Sequence, residues 1–373
     1  MKHFTHIELP EWKRAVIKVG SALVAPEGKF LSNTYTLDIA GFITECRNRG
    51  KEMILVTSGA VAAGISRQPA LAKRQLSMPE KQAMAAIGQP LLMAHWSKYF
   101  DFPCAQLLLT YQGINERQRF VNARNTILEL LAQKTLPIVN ENDTVVVDEI
   151  KVGDNDNLAA HVAALAEADI LFICSDVDGL FDADPRINTG AHFIPQVNKI
   201  TQAIYDLAGG RGSLYAIGGM VTKIQAAEKA TARGITTVVF NGSRRLSYQY
   251  LLDGIVPGTL FCQNASPITA KKHWILHALK SKGIIYIDAG ARKAVRDKGA
   301  SLLPSGILSI EGRFKQGDAV TLQSGNQIIA RGICQYDSGD LDKIKGKKST
   351  EIESILGYFH RDEVIHRDDL VLM

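Results

Sequence analysis

Short apolar runs that each end in a polar turn, separated by segments of helical periodicity, constrain this chain more than any other feature. The runs occupy 15–19, 53–56, 106–109, 136–139 and 170–174. They are rich in Leu and β-branched residues and lack polar alternation, so they read as strands buried on both faces. Between and after them, helical spacing covers 37–49, 81–99, 121–134, 157–168 and 221–233. Gly50 and Gly234 follow two of these segments, where a left-handed cap ends a helix. Such alternation predicts βαβ units and therefore a twisted, mostly parallel sheet with helices on both faces. Ligands of such sheets bind at the carboxyl ends of the strands. Four turns stand there, KVGS at 18–21, TSGA at 57–60, NEND at 140–143 and SDVDG at 175–179. Taken singly, each reads equally well as an ordinary loop of Gly, Asn and Asp.

At 373 residues the chain is longer than one hydrophobic core usually serves, which predicts a large domain and a smaller one. The pattern changes after Phe261, where NASP and then KKHW precede brief strand-like pieces at 283–288, 306–311, 319–322 and 327–332. We therefore expect a domain over 1–265, a linker over 266–280 and a small β-rich domain, barrel or sandwich, over 281–373. From residue 269 onward there are 17 Lys+Arg against 13 Asp+Glu, and 26 against 25 before it. That is a weak basic balance for a nucleic-acid surface, and the 343–348 lysines read as a solvated loop. Five cysteines without a CxxC pair suggest neither a zinc knuckle nor a disulfide framework. The first residues lack an apolar leader segment, and the most apolar stretch, 158–174, carries His161, Glu167 and Asp169. We expect a cytoplasmic protein without a membrane span.

The chemistry points to phosphate. No Walker A loop or dinucleotide fingerprint is complete, since the nearest approaches at 346–349 and 210–212 lack the required glycines. The glycine turns remain, and their backbone N–H groups, including those around Gly20 and Ser21, suit phosphate or carboxylate oxygens. Lys18 sits inside an apolar strand, so its ammonium either meets a transferred phosphoryl group or snorkels from an edge strand. Lys223 stands early in a helix after Gly218 and Gly219, where it opposes the helix dipole unless an anion is bound. The acids and amides Asp154, Asn155 and Asp156, placed before a helix from Asn157, exceed what capping needs. They orient lysines or bind a substrate ammonium. Metal binding is the rival reading, but magnesium in phosphoryl transfer is held largely by phosphates and water, so no protein ligand is assigned.

Together KVGS, VTSGA, AAIGQ at 85–89, NEND, KVGDND, SDVDGLFDADPR and GGMVTK occur in the order of the glutamate 5-kinases, and the chain resembles that family over about 15–261. The resemblance implies the amino-acid kinase fold, an α/β/α sandwich, and transfer of phosphate from ATP, with Mg2+, to the γ-carboxylate of L-glutamate in proline biosynthesis. It places ATP on Lys18, Gly20, Ser21, Ser175, Asp176, Ile217, Gly218, Gly219, Met220, Val221, Thr222 and Lys223. Glutamate falls on Ser58, Asp143 and Asn155, with Asn140 and Asp154 nearby, and Asp156 aligns the two lysines. KVGS stands where many relatives read KLGT or KVGT, and SDVDG where many read TDVDG; both keep the hydroxyl. The 283–332 region resembles a PUA domain, a class that binds RNA in many modification enzymes. Proline as feedback inhibitor, a homo-oligomer and hand-over to a γ-glutamyl phosphate reductase are further implications. The alternatives are a related kinase acting on N-acetylglutamate, aspartate or carbamate, and an RNA-binding protein working through the C-terminal domain.

Overall fold

The computed structural model describes residues 7–26, 28, 30–110, 116–145, 154–185, 187–188, 190–208, 219–264 and 281–373. The Cα trace divides into two compact units at 267/268, with 115–122 grouped with the second. The expected linker, 266–280, lies outside the described residues.

The chain first runs β1 (Arg14–Val19), α1 (Ser21–Val24), α2 (Asn33–Asn48), β2 (Glu52–Val56), α3 (Ala60–Ile65), α4 (Met78–Ser97), β3 (Cys104–Leu109), α5 (Arg117–Ala132) and β4 (Leu136–Glu141). It continues with α6 (Asp154–Leu165), β5 (Ile170–Ser175), β6 (Leu180–Phe181), β7 (Phe193–Ile194), β8 (Gln196–Val197) and α7 (Gln202–Leu207). The last elements are α8 (Met220–Thr231), β9 (Thr236–Asn241), α9 (Arg245–Leu252) and β10 (Gly258–Phe261). All five apolar runs are strands, and all five periodic segments are helices. Gly50 and Gly234 have φ of 76° and 79°, as expected where a helix ends in a left-handed turn.

The strands form one eight-stranded sheet in the order β3-β4-β2-β1-β5-β9-β10-β8. From β3 to β9 the pairs are parallel, and β10 then runs antiparallel to β9. β1 is therefore central, with Lys18 level with Val56 of β2 and Ile173 of β5. That position excludes the snorkelling edge lysine. Because side chains alternate along a strand, Ala15, Ile17 and Val19 join Ile39, Phe42 and Ile43 of α2 in one core, and Lys18 faces the other side, toward α6.

Two boundaries differ from the sequence reading in a way that matters. Helix α6 begins at Asp154, so Asp154, Asn155 and Asp156 form its first turn instead of preceding it. Helix α3, which the periodicity did not reveal, follows the TSGA turn directly.

The second unit comprises β11 (Gly283–Ile287), α10 (Ala289–Lys298), β12 (Ile307–Gly312), β13 (Ala319–Ser324), β14 (Gln327–Ile333), α11 (Ser338–Ile344), α12 (Ile352–Leu356) and β15 (Leu370–Leu372). Its five strands form a sheet of order β12-β11-β13-β14-β15 around a separate core that includes Ile285, Val320, Leu322, Tyr336 and Leu341. The expected 343–348 loop is partly helical: Lys343 lies in α11 and pairs with Asp340 at 2.9 Å.

Candidate functional site

The carboxyl ends of β1, β2, β4 and β5 gather the four turns at one edge of the sheet, and helices α6 and α8 add their first turns. Lys18, at the end of β1, is 4% exposed, and its Nζ lies 2.6 Å from Asp156 Oδ1. Lys223, in the first turn of α8, is 6% exposed, with Nζ 3.3 Å from Asp156 Oδ2. Thr222 lies one residue before it, its hydroxyl donating to the same Oδ2 at 2.8 Å. Asp156 itself is fully buried.

Burial alone would raise the Asp156 carboxyl, but Lys18, Lys223 and the Thr222 hydroxyl outweigh it and hold the group below the usual carboxylate range. Burial pushes the Lys223 ammonium down; Asp156 pulls it back, and Lys18 adds to the depression. Two buried ammonium groups thus share one carboxylate, an arrangement that an anionic ligand would complete.

The glycines of these turns divide by need. Gly59 has φ of 107°, a conformation that side-chain-bearing residues avoid, and a Cβ there would approach Val24 Cγ1 to 3.0 Å. Gly219, at the N-cap of α8, has φ of −91°, and a Cβ on it would meet no atom within 4 Å. Among the described residues, therefore, no neighbour requires a glycine there. A Cβ on Gly20 would lie 3.7 Å from Lys18 Nζ, so this backbone too borders the cation. Met220 and Val221 begin α8, and Ser21 begins α1.

At the end of β5, Ser175 is buried and donates to Asp176 Oδ1 at 3.1 Å, whereas Asp176 is exposed. Asn241, at the end of β9, braces this turn by donating to the Asp176 carbonyl at 3.4 Å and to Asp178 Oδ1 at 2.8 Å. Arg244 holds the other oxygen of Asp178 at 2.8 Å. Neither Asn241 nor Arg244 stands out in the sequence, since one ends a strand and the other follows it in an ordinary polar turn.

A second cluster is built of amides. Asn155 Nδ2 lies 2.8 Å from the Thr57 carbonyl, 2.7 Å from Ser58 Oγ and 3.1 Å from Asn140 Oδ1. Asn140 Nδ2 donates in turn to Gln89 Oε1 at 2.9 Å. Thr57, wholly buried, accepts from Trp96 Nε1 at 2.8 Å, which ties the TSGA turn to α4. Asp143 begins a single 3-10 turn leaving β4 at the same edge. Ser58, Asn140 and Asn155 are therefore in contact, and Gln89, Thr57 and Trp96 are members that the sequence reading did not select. The sequence signals were the TSGA turn for Thr57 and the AAIGQ stretch for Gln89. Ile217 and Gly218, and the Asp154 side chain, lie outside the described residues.

Among the described residues no group of three or more His, Cys, Asp or Glu is placed to hold a metal ion. No helix among them is long and apolar enough to cross a membrane.

Comparison with known proteins identifies the family of the chain. Residues 13–241 match the amino acid kinase family and residues 283–356 the PUA domain. The chain is 56% identical to the glutamate 5-kinase of Salinibacter ruber over 374 residues, covering 98% of this chain and 99% of that one. It is 49% identical to the glutamate 5-kinase of Idiomarina loihiensis, again covering 98% and 99%. Among solved structures, the carbamate kinase from Giardia lamblia bound to AMP-PNP is similar in fold, with a TM-score of 0.50 and 19% identity over 68% of this chain and 99% of that one.

Proposed function

We propose that this chain, which belongs to the glutamate 5-kinases of the amino acid kinase family, transfers the γ-phosphoryl group of ATP to the γ-carboxylate of L-glutamate, giving γ-glutamyl phosphate and ADP. One observation carries the reading: two buried lysines share a single buried carboxylate at the carboxyl end of a parallel sheet. The transferred phosphoryl group spreads negative charge over its oxygens in the transition state, and fixed cations in a dry site stabilise that charge without reorganising.

In this account ATP lies along Gly20, Ser21, Ser175, Asp176 and the segment from Ile217 to Lys223, with Lys18 and Lys223 at its reacting phosphate. Asp156, held ionised by the lysines, keeps both ammonium groups in place. Glutamate occupies the neighbouring cluster of Ser58, Asn140 and Asn155, with Asp143 and Asp154 suited to its α-ammonium. Its γ-carboxylate is already ionised near neutral pH, so attack in line on the phosphorus requires no general base. Mg2+ fits as a companion of ATP, held by phosphates and water and neutralising their charge; Asp156, with both oxygens engaged by lysines, has none to give.

Inhibition by proline, a homo-oligomer, hand-over of the acyl phosphate to a reductase and a cytoplasmic location belong to the same proposal and rest on membership of the family. An RNA-binding role through the second unit is not favoured, because likeness to glutamate 5-kinases extends through the PUA match. Hydroxylamine trapping of acyl phosphate, run with ATP and each of glutamate, N-acetylglutamate and aspartate, tests the reading. Hydroxamate should form with glutamate far above the other two; equal or greater yield with either would overturn it.

A further inference from the structure

The amide chain beside Ser58 has a direction, and one end of it rests on a residue with no role in the reading above. The Thr57 carbonyl can only accept, so the Asn155 side chain must turn its NH2 toward it. That nitrogen also faces Asn140 Oδ1, which leaves Asn140 Nδ2 for Gln89, and Gln89 meets it with Oε1. Gln89 is 8% exposed and Asn140 3%, so neither can exchange these bonds for water. The Gln89 Nε2 left over is buried and has no hydrogen-bond partner among the described residues. Glutamine is thus held in this orientation by what its oxygen does, at the cost of an unmet donor.

The direction has a consequence at the other end. Ser58 Oγ receives the Asn155 NH2 at 2.7 Å, so one of its lone pairs is occupied and its own hydrogen is left to donate elsewhere. A donor suits an anionic acceptor. With the chain reversed, Ser58 would donate to Asn155 and turn only lone pairs toward the ligand, repelling a carboxylate.

We propose that Gln89 is a positioning residue for the acceptor: its Oε1 holds Asn140 with Oδ1 toward Asn155, and Asn140 and the Thr57 carbonyl together keep the Asn155 NH2 on Ser58, which leaves the Ser58 hydroxyl hydrogen free to donate to the carboxylate of the amino-acid substrate. The inference rests on the reading of this cluster as the acceptor site. Without the Gln89 oxygen, Asn140 Nδ2 becomes a buried donor lacking an acceptor, Asn140 loses its fixed orientation, and Asn155 is left with the Thr57 carbonyl as the one partner that still orients it toward Ser58.

The test compares wild type, Gln89→Met and Gln89→Glu by KM for glutamate and for ATP in the trapping assay, with thermal melting as a check of the fold. Gln89→Met removes the acceptor at nearly the same length. Its KM for glutamate should rise about tenfold, as expected for a lost buried hydrogen bond, with KM for ATP within about twofold of wild type. That split decides the inference by itself. Gln89→Glu keeps an acceptor for Asn140 but adds a buried carboxyl beside the substrate carboxylate, so its KM for glutamate should also rise while KM for ATP stays within about twofold of wild type. An unchanged glutamate KM in Gln89→Met, or an equal rise in both KM values in either variant, would overturn it. A wild type that forms no acyl phosphate with glutamate would instead sink the reading of the site, and the inference with it.

Discussion

Asp156 is the residue on which both site cations depend, since its Oδ1 meets Lys18 and its Oδ2 meets Lys223. Asp156→Asn leaves two buried ammonium groups facing a neutral amide. We expect a loss of about 3–5 kcal/mol in unfolding free energy by urea titration, together with a large fall in kcat. An unaltered urea midpoint would show that the lysines do not rely on it. Asp143, offered to the α-ammonium of glutamate, makes a different prediction: Asp143→Asn should raise KM for glutamate more than KM for ATP, and an equal change in both would remove that role. At this scale the sequence is uneven. Lys18 was legible because a cation inside an apolar run needs a partner, and its partner lay among three polar residues at 154–156. The family resemblance singled out Asp156 among the three, and which oxygen met which lysine came only from the packing of α6 against β1. Gln89 was not legible, because a glutamine in a helix is ordinary until the neighbour that its oxygen meets is known.

Helices α3 and α4 brace one side of the acceptor cluster, one leaving the TSGA turn and the other bearing Gln89 and Trp96. They cross in near backbone contact: a Cβ on Gly64 would fall 1.9 Å from the Met84 carbonyl oxygen, and one on Gly88 1.8 Å from that of Ala60. No side-chain rotation relieves either clash, so the helices must part. Gly88→Ala should therefore lower stability by about 1–3 kcal/mol or more and raise KM for glutamate well above any change in KM for ATP. Melting and steady-state kinetics on one preparation check both, and a variant with wild-type melting and glutamate KM would refute this view of the crossing. The sequence showed α4 but not α3, whose six residues are too few for a period to emerge. It also set the start of α6 three residues late, because Asp and Asn favour caps over helix interiors. Here tertiary bonds from Asn155 and Asp156 hold them in the first turn instead.

Over the whole molecule, the parallel sheet and the change of pattern after Phe261 could be read from the chain. The reversal of direction between β9 and β10 could not: four residues of GTLF carry no sign of direction. Acid stability is a property of the folded molecule that the sequence does not disclose. His95 is buried with Nε2 3.0 Å from Thr36 Oγ1, and burial, then the nearby Lys98, depresses its pKa to about 4. Its value in the unfolded chain is about 6.5, so between these limits the unfolded state binds the extra proton. The contribution of His95 should therefore be full above pH 6.5 and be lost progressively as pH drops toward 4. His161, also depressed to about 4, adds in the same direction. Urea midpoints of His95→Gln should fall less over this range than those of wild type; parallel curves would rule His95 out.

The central claim is that fixed cations, not an acid or base, lower the barrier to transfer, and Lys18→Ala tests it most directly. Asp156 keeps Lys223 as a partner in that variant, so the fold should survive while the transition state loses a buried charge. Single-turnover formation of ADP at saturating ATP and glutamate should slow by about 10²-fold or more. A rate within a few-fold of wild type would contradict the account.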